Sequence, residues 1–158
     1  MVNLTEGLMG SMNDVDYRLQ LVRGFLDEAR QDFAGGRWRA AVSGSVLAVE
    51  NAGVGVLMLF GVAPTTHRPG EHLSRLMVEG TLSTEVAGMI GQLLPLFERH
   101  GSHQKMLTKY GDEEGCRLPW DIFGEGDARE ALASAETAMR IASETAAVIS
   151  SSGGKVQD

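Results

Sequence analysis

Residues Ser43 to Gly61, SGSVLAVENAGVGVLMLFG, constrain the fold more than any other stretch. The pattern predicts one long helix, apolar on nearly every side, with Glu50 and Asn51 in its middle. A helix that is apolar all round must be buried on several faces, so this one is expected to be the central rod of a helical bundle. A carboxylate and an amide in such a rod need partners. Arg18, Arg23 and Arg99 could supply charge and Tyr17 a hydroxyl. Glu50 and Asn51 then read either as a buried polar network or as a site with Glu50 poised as a general base.

The surrounding sequence supplies further helices. Residues 1–12, broken by Gly7 and Gly10, are expected to be a loose, flexible N-terminus, and residues 13–149 the bundle itself. Val15, Leu19, Val22, Leu26, Ala29 and Phe33 follow a helical period over about 14–33, and Gly35-Gly36 stops it. The rod is expected over about 38–60, lined by small residues such as Gly44, Gly53 and Gly55 that favour close packing, and ended by Gly61 and Pro64. A short helix is expected at 71–79. A third main helix starts near Ser83 or Thr84, with a kink at Pro95, and ends near His100 or continues to Tyr110. Residues 111–126 read as a long loop in which Trp120 is an apolar anchor. Asp127 with Glu130 has capping-box spacing for a last helix running to about 149, and residues 150–158 read as a disordered tail. The fold class expected is all-α, an antiparallel up-and-down bundle of four main helices plus a short extra one.

Composition narrows the function. The chain has 158 residues and a net charge of −7, which argues against sequence-independent DNA binding but not against a local basic pocket. The single cysteine, Cys116, allows no internal disulfide and suits a cytoplasmic home. No signal-peptide pattern opens the chain. The apolar run from Ala52 to Pro64 is short of the roughly 20 residues a bilayer needs, so no membrane association is expected.

Four constellations could carry chemistry. His100 and His103 share a helical face near Asp112, Glu113 and Cys116, but their spacing matches no strong metal motif, and no metal or cofactor is expected. Arg99, Lys105, Lys109 and Tyr110 form a basic-aromatic cluster able to hold a phosphate and stack a base, or a solvated helix end balanced by Asp112-Glu113-Glu114. His67-Arg68-Pro69-Gly70-Glu71-His72 leads into a helix start, where phosphates bind readily, though it lacks a glycine-rich cradle. Glu50 and Asn51 are the fourth.

Taken together, DEARQDFAGGRWRAAV, SVLAVENA, GVAPTTHRPG, KYGDEE followed by LPWDIF, and DAREALASAETA resemble the HEPN (higher eukaryotes and prokaryotes nucleotide-binding) family over about residues 14–148. The resemblance implies a helical bundle, often a homodimer, that binds nucleotide or RNA and in many members pairs with a small nucleotidyltransferase as a toxin–antitoxin couple. It also implies, for many members, metal-independent RNase activity through an arginine and a histidine separated by four to six residues. Here Arg99 and His103 have three residues between them, as do Arg68 and His72. The expected role is therefore binding of nucleotide, RNA or a nucleotidyltransferase partner. Glu50, Asn51, His67, Arg68, His100, Lys109, Tyr110 and Asp112 are the candidate binding residues. The alternatives are an RNase using Arg99 and His103, and a purely structural dimerising bundle.

Overall fold

Glycine sets the ends of the first two helices. The computed structural model describes residues 4–62 and 67–153, with side chains for 14–62 and 67–152. Helix α1 (Leu4–Ala34) closes where Gly36 turns left-handed at φ 71°. The Arg37 N–H then bonds the Asp32 carbonyl at 2.8 Å and the Gly36 N–H bonds that of Phe33 at 3.1 Å, the Schellman pattern. Helix α2 (Trp38–Leu59) ends the same way at Gly61, φ 75°, with Val62 bonded to Leu57 and Gly61 to Met58. The glycine stops read from the sequence are therefore correct in place and mechanism.

Five more helices follow among the described residues: α3 (Pro69–Glu79), α4 (Thr84–Arg99), α5 (Ser102–Tyr110), α6 (Pro119–Ile122) and α7 (Glu125–Gly153). The fold is all-α. Helix α1 packs along α2, and both pack along α7; α4 lies on α7 and α3, while α3 and α5 lie on α2. Gly44 approaches Ala29 and Phe25, whereas Gly55 approaches Arg18 and Leu19, so α1 and α2 run antiparallel. The main core gathers Val22 from α1, Val49, Ala52 and Val56 from α2, Leu73 from α3, Ile90 and Leu93 from α4, and Ile141 from α7. A smaller cluster joins Val42 and Val46 to Phe123, Ala128 and Ala131. Helix α2 as a whole is long and apolar enough to cross a bilayer, but 67% of that window is buried inside the fold, as for any core helix.

Several expectations need correction. Helix α1 begins at Leu4, so the segment expected to be loose is helical from there; residues 1–3 lie outside the described part. The tail is helical to Gly153, and the rest of it also lies outside. Of the two ends left open for the third main helix, the one near His100 is observed: α4 runs through Pro95, which sits on the exposed side, and stops at Arg99. The chain breaks at Gly101 and restarts as α5; a side chain there would meet the Phe97 carbonyl at 2.8 Å, so the break takes a glycine. Helix α7 starts two residues before Asp127. The Asp127 carboxylate instead accepts the Gly124 N–H at 2.9 Å, the backward half of a capping box. The 111–126 segment is organised by a bridge between Asp112 and Arg117 and by α6. Its apolar anchors are Pro119 and Phe123; Trp120, expected in that role, is 67% exposed.

Candidate functional site: a cleft over Glu50

Glu50 and Asn51 are adjacent in α2 and therefore point about 100° apart. Asn51 faces α1: its Oδ1 accepts from Arg18 Nη1 at 2.9 Å and its amide donates to the Leu47 carbonyl at 2.8 Å. That pairing ties α1 to α2 and leaves Asn51 9% exposed, a structural role. Glu50 faces the other way. Its Oε2 accepts from Lys105 Nζ of α5 at 2.8 Å, and its Oε1 lies 3.0 Å from His67 Nδ1 in the α2–α3 loop. Of the arginines considered from sequence, Arg18 meets Asn51, Arg23 is exposed, and Arg99 lies 4.0 Å from Glu130 of α7. Lys105 was visible in the sequence as one of a basic cluster; that it would reach back 55 positions to Glu50 was not.

Above Glu50 opens a cleft of about 410 Å³. Leu94 and Phe97 of α4 form its apolar wall, and Pro69, Gly70 and Glu71 form the first turn of α3 beside it. His67, Arg68, His100, Gly101 and Ser102 complete the polar side. The wall depends on glycine. A Cβ on Gly53 would lie 2.6 Å from Phe97 Cζ and 2.8 Å from Pro69 Cβ, and one on Gly70 would lie 3.0 Å from Phe97 Cβ. Bare backbone at both positions lets Phe97 wedge between α2 and α3.

Two features suit the cleft to an anion. Helix α3 has Pro69 at its first position and no side-chain cap; α5 begins at Ser102, also without one. The first turns of both border the cleft, and free N-terminal N–H groups carry partial positive charge; in α3 Pro69 has no N–H and the Glu71 N–H bonds the Arg68 carbonyl at 3.3 Å, which leaves Gly70 as the donor there. Arg68 flanks them, with Nη1 3.4 Å from Glu71 Oε1. His100 is the second feature. It is 5% exposed, its Nδ1 lies 2.7 Å from Gln104 Oε1, and its buried Nε2 has no partner among the described residues.

The cleft thus gathers Glu50, His67, Arg68 and His100 from the residues singled out in the sequence. It does not gather the others. Arg99 and His103 do not line it, and both are exposed. Lys109 and Tyr110 lie at the far end of α5, with Tyr110 60% exposed. Asp112 serves its own turn, accepting the Gly115 N–H at 3.0 Å. Thr65 and Thr66 of the histidine loop lie outside the described residues. Among the described residues no three metal-binding side chains come together. No family model matches the chain, and no curated protein matches it in sequence.

Proposed function

We propose that this chain is a HEPN-like binding module that takes a phosphate-bearing ligand, a nucleotide or RNA, in the cleft over Glu50. The observation that carries this reading is an apolar-walled cleft bordered by the first turns of two helices without side-chain caps, α3 and α5. A cleft of this volume, with an apolar wall and a few converging polar groups, falls in the range of small-ligand sites. Within the reading, α1, α2, α4 and α7 are the four rods of an antiparallel up-and-down bundle, and the protein works in the cytoplasm. The RNase alternative has less support, because Arg99 and His103 lie off the cleft.

A homodimer and a nucleotidyltransferase partner belong to the same reading. The small residues of α2 are used inside the chain: Gly44, Gly53 and Gly55 all meet other helices of the same molecule. What supports a protein contact instead is the exposure of four large apolar side chains on and around α5 and α6: Met106, Tyr110, Leu118 and Trp120.

Thermal unfolding in the presence of AMP, ATP and a short RNA tests the binding claim. A ligand at 100 times its Kd raises native stability by about 2.7 kcal/mol, a rise of several degrees in Tm for a chain of this size. An unchanged Tm with all three at millimolar concentration would sink the reading, and the purely structural bundle would take its place.

A further inference from the structure

We infer that a second copy of this chain docks on the surface made by α5, α6 and the turn between them, the same surface of each copy facing the other across a two-fold axis. The inference rests on the protein-contact part of the reading above, chooses its partner, and does not depend on the cleft.

Backbone bonds gather the parts of this surface. Met106 and Tyr110 are four residues apart and share a face of α5. Asp112 and Arg117 exchange two backbone hydrogen bonds, each 2.9 Å, which lays Tyr110-Gly111 alongside Leu118-Pro119. The approach is close: a Cβ on Gly111 would stand 3.0 Å from Pro119 Cδ. Arg39 of α2 joins α5 to α6. Its Nη1 donates to the Thr108 carbonyl at 2.9 Å, and its guanidinium lies over the Trp120 ring, 5.6 Å from the centroid. Pro119 is buried, while Leu118 and Trp120 on either side of it are exposed. Among the described residues, Met106, Tyr110, Leu118 and Trp120 are four of the six large apolar side chains left exposed, so the exposure is concentrated here rather than scattered.

Charge selects the occupant. Lys109 and Arg117 are exposed and have no carboxylate partner among the described residues, and neither has Arg39. Glu113 and Glu114, in the turn between them, are exposed and equally without a cation. A nucleic acid, or any partner of one sign, would satisfy one set and leave the other desolvated and unpaired. A two-fold contact sets residue i of one copy against residue j of the other, and j against i. A patch that carries both signs unpaired therefore complements itself. The residue types also suit a contact, because Trp, Tyr, Met and Arg are the types enriched at interfaces. Arg39 already holds the Trp120 ring before a partner arrives, which lowers the ordering cost of docking.

Sedimentation velocity of the full chain, from micromolar to near-millimolar concentration, tests this. The expected mass at the upper end is twice the 16.9 kDa of one chain. Trp120→Ala and Leu118→Glu change exposed side chains, so folding is not at risk, and each should weaken the dimer by about tenfold or more. Glu113→Lys with Glu114→Lys, which removes the acid from the turn, should do the same. Tyr17→Ala and Val78→Ser change the two exposed apolar side chains elsewhere and should leave the dimer as it is. A monomeric mass at every concentration overturns the inference, and so does a dimer that Trp120→Ala, Leu118→Glu or the double lysine variant leaves intact. In a monomeric parent, tryptophan quenching by a single-stranded RNA hexamer that is lost in Trp120→Ala would give the surface to a nucleic acid instead. None of the substituted residues lines the cleft, so the effect of nucleotides on Tm stands or falls separately.

Discussion

Gly53→Ala gives the sharpest test of how the cleft wall is built. An alanine in a helix interior is normally favoured over glycine by about 1 kcal/mol. At position 53 that gain meets a filled space. The new Cβ would stand 2.6 Å and 2.7 Å from two ring carbons of Phe97 and 2.8 Å from Pro69 Cβ. Carbon atoms prefer separations of about 3.5–4.0 Å, so all three contacts are repulsive. Phe97 has little room to yield, because its Cβ already lies close to Gly70 on α3. Forcing a methyl into a packed site costs about 1–3 kcal/mol, which leaves Gly53→Ala destabilising by up to about 2 kcal/mol. The control is Gly24→Ala in α1, where a Cβ meets nothing within 4 Å and the full gain of about 1 kcal/mol remains. The two variants should therefore differ by about 1–3 kcal/mol with opposite signs. Urea unfolding followed by circular dichroism at 222 nm measures both. A Gly53→Ala protein as stable as Gly24→Ala would refute the wedged placement of Phe97 and with it the shape of the cleft.

Two further outcomes follow from single contacts. Glu50→Gln keeps the side-chain shape but weakens the bonds from Lys105 and His67, and should lower stability by about 1–3 kcal/mol in the same urea assay; an unchanged midpoint would mean that the α5 and histidine-loop tethers hold nothing. Ser83→Ala removes the hydroxyl that accepts the Val86 N–H at 3.2 Å and should cost about 1 kcal/mol; faster amide hydrogen exchange confined to the first turn of α4 would mark the lost cap, and protection equal to the parent's would rule it out.

The helices were legible because their causes are local. The α1 period, the two glycine stops and the Ser83 cap each depend on residues a few positions apart, and each stands where the sequence puts it. The burial of Asn51 and its pairing with an arginine were also foreseeable, since an apolar rod excludes water from any amide it carries. The misreadings share a different cause. Asp127 satisfies the capping-box spacing toward Glu130, which predicts an N-cap there. In the fold it satisfies the same motif backward, toward Gly124, and sequence spacing does not distinguish the two. Either Trp120 or Phe123 suits an apolar anchor by composition, and the four-residue helix α6 turns Phe123 inward and Trp120 out. The site itself was partly visible. Glu50, His67, Arg68 and His100 were all singled out, but in three separate groups. What joins them is packing between α2, α3, α4 and α5, and no local pattern records that.

Glu50 and Gly53 are one turn apart on the same face of α2, and together they account for both sides of the cleft. The carboxylate tethers the histidine loop through Oε1 and α5 through Oε2. One turn on, the missing side chain admits Phe97 and the start of α3. This arrangement commits the Lys105 ammonium and the His67 ring to an internal anion. Any attraction for an external phosphate must then come mainly from backbone N–H groups rather than from a surplus of basic side chains, since Arg68 too is paired, with Glu71. Such dipoles act within about the first turn of a helix, and at physiological salt the remote charges are screened beyond about 8 Å. A chain with a net charge of −7 can therefore present a local anion seat without a basic surface.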